Sequence, residues 1–169
     1  MLHDLRALHA EVDALSADLA RVHHPRLHCT RGCSGCCADD LTVLPIEAAR
    51  IQVAHAELLA HGEPHAAGAC AFLDAGGACR IYADRPYVCR TQGLPLRWLE
   101  EDEHDEIVEQ RDICPLNAAG PALETLSEDA CWLIGPFEQR LLDAQDAVAP
   151  DAPRIALRSL FENAGRGRV

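Results

Sequence analysis

The sequence contains no lysine: all 15 of its cations are arginines. That absence removes Schiff-base, P-loop and kinase-type lysine chemistry at once. Aromatic residues are scarce, with three Phe, two Trp and two Tyr, and there is a single Met. The four serines at 16, 34, 127 and 159 include none in a Gly-x-Ser-x-Gly setting, which leaves a serine hydrolase without its nucleophile elbow. No His-Glu-x-x-His is present, so a zincin-type hydrolase has no basis. No apolar run reaches the roughly 18 to 20 residues needed to span a bilayer. Cations are outnumbered, 15 against 27 carboxylates for a formal charge of -12. Neither nucleic acid nor an anionic membrane is therefore an expected partner. The first residues, Met1 to Arg6, show neither a basic n-region nor an apolar h-region, and a bacterial-type cytoplasm is the expected location.

What is present is a chain of 169 residues, 49 % hydrophobic and 25 % charged, the mix of a soluble globular protein. The length suits a single domain over residues 1–169. Nine cysteines stand out. Without an export signal, metal binding or thiol redox chemistry takes precedence over a disulfide framework, and an odd number leaves one thiol over from any complete pairing.

Leu2, Leu5, Leu8, Val12, Leu15, Leu19 and Val22 recur at spacings of three and four and predict an amphipathic helix that ends at His24-Pro25, over residues 1–24. Leu41–Leu44 reads as a short strand. Pro45 opens a second helix that runs to Gly62, with Ile46, Ala49, Val53 and Leu58 on its apolar side. Cys70–Leu73 and Ala78–Tyr82 read as two short strands around a Gly-rich turn, and Leu94–Leu99 as another extended stretch. Glu100 to Glu106, with six carboxylates and His104, reads as a solvated loop or hairpin tip rather than a calcium loop. A third helix is expected from Ser127 as N-cap, broken at Gly135-Pro136, with a last short helix from Pro153 through Phe161. The tail from Gly165 to Val169 is expected to fray. The expected fold is mainly α with small irregular β: helices at 1–24 and 127–161 packed around a Cys-rich, metal-organised loop core at 29–117.

Four cysteines fall at 29, 33, 36 and 37 on a loop interrupted by Gly32 and Gly35. Thiolates gathered on such a loop suit zinc, copper(I) or iron–sulfur centres. The neighbours Cys36 and Cys37 are expected to diverge and to serve different places. Cys70, Cys79, Cys89 and Cys114 bring the set to eight, enough for two four-coordinate sites or for one site with four further thiols. Cys-x3-Cys-x2-Cys is also the spacing of the radical-SAM loop, but a large β/α barrel has no counterpart in this chain.

The run Cys29-x3-Cys33-x2-Cys36-Cys37, followed by Cys70-Ala-Phe-Leu, Cys79-Arg-Ile-Tyr-x2-Arg-Pro-x2-Cys89-Arg90 and Cys114-Pro-Leu-Asn117, resembles the bacterial CxxCxxCC cysteine-cluster family of zinc- or iron-chelating proteins (YkgJ type). The first gap has three residues where the family name has two. The resemblance covers about residues 29 to 117 and implies that Cys29, Cys33, Cys36, Cys37, Cys70, Cys79, Cys89 and Cys114 are metal ligands, with Cys131 outside the pattern. One distant relative is an iron–sulfur flagellin lysine methylase, which makes a cluster credible without transferring its reaction.

The expected function is thus a metal-binding protein that holds zinc or an iron–sulfur cluster, with no protein partner named. Two alternatives stand beside it: an iron–sulfur enzyme with an open position at its cluster, and a metal-free thiol redox protein cycling through Cys36-Cys37 or Cys33 and Cys36. Arg85 and Arg90 are candidate donors to the thiolates of the centre, placed to stabilise their negative charge, or else bind carboxylates and backbone carbonyls at a turn. Tyr82 reads as core. His24, His28, His61 and His65 read as solvated, with His28 the best of them as a substitute ligand. Cys131, beside Trp132 on the third helix, reads as a buried hydrophobe.

Overall fold

The computed structural model describes residues 2–164; the tail expected to fray, 165–169, lies outside them. About 42 % of the chain is helical, and the sheets are small, with two and three strands. The fold is thus mainly α with minor β, as the pattern predicts. No helix among the described residues is long and apolar enough to cross a membrane.

The chain folds into two units. The first gathers Met1–Leu5, Thr30–Pro86 and Leu142–Val169. It contains β1 (Thr42–Val43), α2 (Pro45–Ala54), α3 (Ala56–His61), β5 (Ile155–Ala156) and α6 (Ser159–Ala164). β1 and β5 pair antiparallel, Thr42 opposite Ala156 and Val43 opposite Ile155. Their pairing brings Leu157, Leu160 and Phe161 onto Val43, Ala48, Ile51, Leu59, Ile81 and the segment Cys70–Leu73. Phe72 is fully buried at the middle of this cluster, its ring 5.0 Å from that of Phe161. The core is therefore apolar, and the expected metal-organised core is not shown. Cys70 enters it as one more small hydrophobe.

The helix expected from Pro45 to Gly62 is two helices. Pro45 starts α2 as predicted, Glu47 accepts the Leu44 N–H at 3.4 Å, and the Gln145 side chain accepts the Ile46 N–H at 3.0 Å. These bonds occupy N–H groups that a helix start leaves without partners. The break falls at His55, whose ring reaches Asp84 Oδ2 at 2.9 Å; Arg50 pairs with the same carboxylate. The buried face is also turned from the expected one: Ile46, Ala48, Ile51 and Leu59 are inside, and Val53 is 71 % exposed.

The second unit comprises Arg6–Cys29 and Tyr87–Leu141. Most of α1 (Leu2–Val22) lies in it, with bounds that match the predicted helix. Its buried residues are Leu5, Leu8 and Val12 with the polar His9 and Ser16; Leu15 and Val22, placed on the apolar stripe by spacing, are exposed. Short α4 (Tyr87–Arg90) is followed by β2 (Leu96–Glu101) and β3 (Ile107–Asp112), an antiparallel hairpin whose tip is the acidic run. β4 (Trp132–Leu133) adds to β2 in parallel, and α5 (Pro136–Asp146) begins here.

Three further expectations are corrected. Ser127 heads only a 3-10 turn, Glu128–Ala130, and Cys131 sits between that turn and β4, not on a helix. The helix proper starts at Pro136, after Gly135 at φ 126. Pro153 leads into β5, and α6 starts at Ser159. The two strands around the Gly-rich turn shrink to one antiparallel bridge, Leu73 to Cys79, because Asp74 Oδ1 folds the turn tightly by accepting the N–H groups of Gly76 and Ala78.

Phe72→Ala should cost about 3–5 kcal/mol through lost burial and the cavity it leaves. Val53→Ala, on the exposed face of α2, should change stability by less than about 0.5 kcal/mol. Urea unfolding of the two variants checks the burial pattern; equal losses would contradict it.

Candidate metal centre

The eight cysteines of the sequence pattern fall into both units: Cys33, Cys36, Cys37, Cys70 and Cys79 in the first, Cys29, Cys89 and Cys114 in the second. All nine cysteines of the chain carry free thiols.

In the first unit the loop after Cys29 is two successive turns, closed by Cys33 N–H to Thr30 O and Cys37 N–H to Ser34 O, both at 2.9 Å. The first turn rests backbone to backbone on the turn at 76–77. A Cβ added at Gly77, at φ 76, would lie 3.1 Å from Gly32 O, so the contact needs glycine there. The second turn is tied down where Cys70 N–H donates to Cys37 O at 2.8 Å. Cys70 begins the segment whose return arm carries Cys79, paired through the Leu73 bridge and Arg80 N–H to Phe72 O at 2.8 Å. Cys37 and Cys79 both pack on the edge of the apolar cluster that contains Cys70.

The neighbours Cys36 and Cys37 do not diverge as expected. The Cys37 thiol hydrogen-bonds the Cys36 sulfur and, against some desolvation, lowers the Cys36 pKa to about 6. Burial pushes the Cys70 and Cys79 thiols up, and each is partly relieved by backbone N–H groups and by the charge of Arg80. Arg85 also acts on Cys79, and Arg158 on Cys70. Arg85 thus lies within electrostatic reach of a candidate ligand while it donates to Tyr82 O at 2.9 Å and stacks on the Tyr82 ring. Tyr82 itself is 64 % exposed, not core.

In the second unit Cys89 lies on α4, which is fixed at both ends. Tyr87 accepts a hydrogen bond from Trp132 Nε1 at 3.1 Å, and both rings stack on Phe137. Arg90, 5 % exposed, donates to Asp13 at 2.6 Å and lies 3.1 Å from His9 Nδ1. The carboxylate partner named as the alternative for Arg90 is thus present. Cys114 precedes a 3-10 turn, Pro115–Asn117, that closes with Asn117 N–H to Cys114 O at 2.8 Å. Asn117 is fully buried, and its side chain bonds the Gly93 carbonyl, the His28 N–H and the Cys29 sulfur. His24 and His28 are exposed, and Cys131 is buried as expected.

Among the described residues no three His, Cys, Asp or Glu side chains converge closely enough to grip a metal ion. The donor set nevertheless fits a soft metal: free thiols, held on loops that main-chain hydrogen bonds tie to distant segments, with arginines acting on the thiols in the first unit. Sequence reasoning named the thiols but missed Asn117, Gly93, Asp13 and Asp84. For Asn117 the available signal was its place three residues after Cys114, behind a proline suited to start a turn.

In the metal-free chain the exposed Cys36 should be alkylated more readily than Cys70 or Cys79. Its pKa is lowered, so the nucleophilic thiolate forms above about pH 6, whereas Cys70 and Cys79 are raised and remain protonated through neutral pH. Iodoacetamide labelling read by peptide mass spectrometry from pH 5 to 9 should show Cys36 modified first, with its rate rising through pH 6. Equal rates at Cys36 and Cys70 at pH 7 would contradict this.

No curated protein and no solved structure matches the chain. A family model does match: CxxCxxCC, described as a "putative zinc- or iron-chelating domain", over residues 28–115. That stretch is just over half of the 169 residues and contains all eight cysteines of the pattern. The chain therefore belongs to the CxxCxxCC family.

Proposed function

We propose that this protein chelates zinc or an iron–sulfur cluster through two sets of thiolates, one in each unit. The first set is Cys36, Cys37, Cys70 and Cys79, with Cys33 on the same loop. The second is Cys29, Cys89 and Cys114. The observation that carries this reading is the 2.8 Å bond from Cys70 N–H to Cys37 O. It joins two stretches more than 30 residues apart in sequence, and each of them contributes two thiols to the set. Four thiolates match the closed coordination of a structural zinc site and the ligand count of a [2Fe–2S] or [4Fe–4S] cluster.

The charge balance supports the same reading. A tetrathiolate around a divalent ion carries excess negative charge. Arg80, Arg85 and Arg158 supply the compensating field at Cys70 and Cys79. Metal uptake also offers these two thiols, whose ionised forms burial disfavours, a cation in exchange for their protons.

Metal and acid-labile sulfide analysis of anaerobically purified protein tests the proposal. Bound zinc without sulfide, or iron with matching sulfide, is expected; full thiol titration with neither would overturn it. Cys70→Ser and Cys89→Ser should each lower bound metal by about half, because a hydroxyl is a poor ligand for these ions and each set fails when one of its thiolates is lost. Cys131→Ser should leave metal content unchanged. Equal metal content in all three variants would contradict the assignment.

A further inference from the structure

The Asn117 side chain makes three hydrogen bonds, one through its oxygen and two through its nitrogen. It is fully buried, in a 3-10 turn directly after Cys114. Its backbone carbonyl accepts from Arg26 Nε at 3.0 Å, and its own N–H donates to Cys114 O at 2.8 Å. Oδ1 accepts the His28 N–H at 2.8 Å, and Nδ2 donates to Gly93 O at 2.8 Å. These two backbone partners fix which way the amide faces. Turned over, it would set its oxygen against the Gly93 carbonyl and its NH2 against the His28 N–H. One Nδ2 hydrogen then remains, and Nδ2 lies 3.3 Å from Cys29 Sγ.

Gly93 prepares the place where that sulfur sits. A Cβ at Gly93 would come within 2.6 Å of Cys29 Sγ and 3.2 Å of Asn117 Nδ2, and the residue stands at φ 95. Any other side chain would expel the sulfur or the amide. The sulfur thus rests in a seat that has a glycine floor and an amide donor, and Cys29 as a residue stays exposed on its other side.

We propose that Asn117 is a positioning residue for the Cys29 thiolate, holding it through an N–H···S hydrogen bond over Gly93 in the orientation in which it binds metal. This rests on the reading that Cys29 is a ligand. The amide serves the ionised sulfur better than the neutral thiol, since a charged acceptor makes the stronger bond. It also links three separate stretches that bear ligands: residues 28–29, Gly93 just after Cys89, and Cys114. Such outer donors typically change metal affinity about 10- to 100-fold.

The test uses the full chain loaded with 113Cd, a thiophilic probe with a magnetic nucleus. The sequence has only two asparagines, Asn117 and Asn163, so asparagine-selective 15N labelling gives a simple spectrum. One Asn117 side-chain proton should show scalar coupling to 113Cd through the hydrogen-bonded sulfur, and Cys29→Ser should abolish it. Asn117→Asp keeps the shape and the acceptor for His28 but replaces the donor. It should weaken 113Cd binding about 10- to 100-fold in competition with a chelator, in protein whose metal-free circular dichroism matches the wild type. The coupling is read in unaltered protein, so it decides the matter even if that variant fails to fold. Metal held through Cys29 with no coupling to Asn117, or with undiminished affinity in folded Asn117→Asp, would overturn this inference alone. Undiminished binding by Cys29→Ser would remove Cys29 from the ligand set and the inference with it. A wild-type chain that takes up no metal would overturn the proposed function itself.

Discussion

A loop that carries four thiols in nine residues cannot hold its own geometry; something distant in sequence must fix it. Two hydrogen-bonded joints do so here. In the first unit the Cys70 N–H meets the Cys37 carbonyl and brings the loop against the segment that carries Cys70 and Cys79. In the second, the buried amide of Asn117 ties Cys29 to Gly93 and to the turn after Cys114. The Gly32–Gly77 and Gly93 approaches follow from the same need: a Cβ would be crowded by backbone at Gly77 and would overlap the Cys29 sulfur at Gly93. A hydrogen bond in this role contributes only about 1 kcal/mol net, but a buried donor left without its partner costs more than that, so the joints act as constraints on geometry more than as sources of stability.

Charge decides what such a scaffold can bind. The chain is strongly acidic and has no lysine, so every compensating cation is a guanidinium. Several are placed with care. Arg158 spans Asp39 and the carbonyls of His65, Ala66 and Ala69, Arg80 lies 5.3 Å from the Phe161 ring, and Arg90 pairs with Asp13. A planar, permanently charged group can make several directed bonds at once and still act on a nearby thiolate. In the first unit one thiol is driven toward ionisation by its neighbour while two are driven away from it by burial. A bound cation is the ligand that such a mixed set would suit under the proposed function.

The sequence made the long elements and the thiols legible, for physical reasons. The period of α1 and the hairpin around the acidic tip are local patterns, and both stand where expected. The failures share a cause in tertiary contacts that no local pattern carries. His55 leaves the helix where its ring meets Asp84, 29 residues away. The buried line of α1 includes His9 and Ser16, which no apolar stripe would select. Trp132 joins β2 in place of a helix because Pro95 and Arg97 offer carbonyls to Trp132 and Ile134. At the candidate centre the thiols were legible because cysteine declares itself. Asn117 and Gly93 were not, since their value lies in contacts with residues 24 to 88 positions away.

The central claim is that thiolate sulfur dominates the coordination shell. X-ray absorption at the metal K-edge of the purified protein measures this directly. For zinc the account predicts a first shell dominated by sulfur at about 2.3 Å, and for iron a sulfur-dominated shell with an iron neighbour beyond it. A first shell dominated by nitrogen or oxygen at about 2.0–2.1 Å would contradict it.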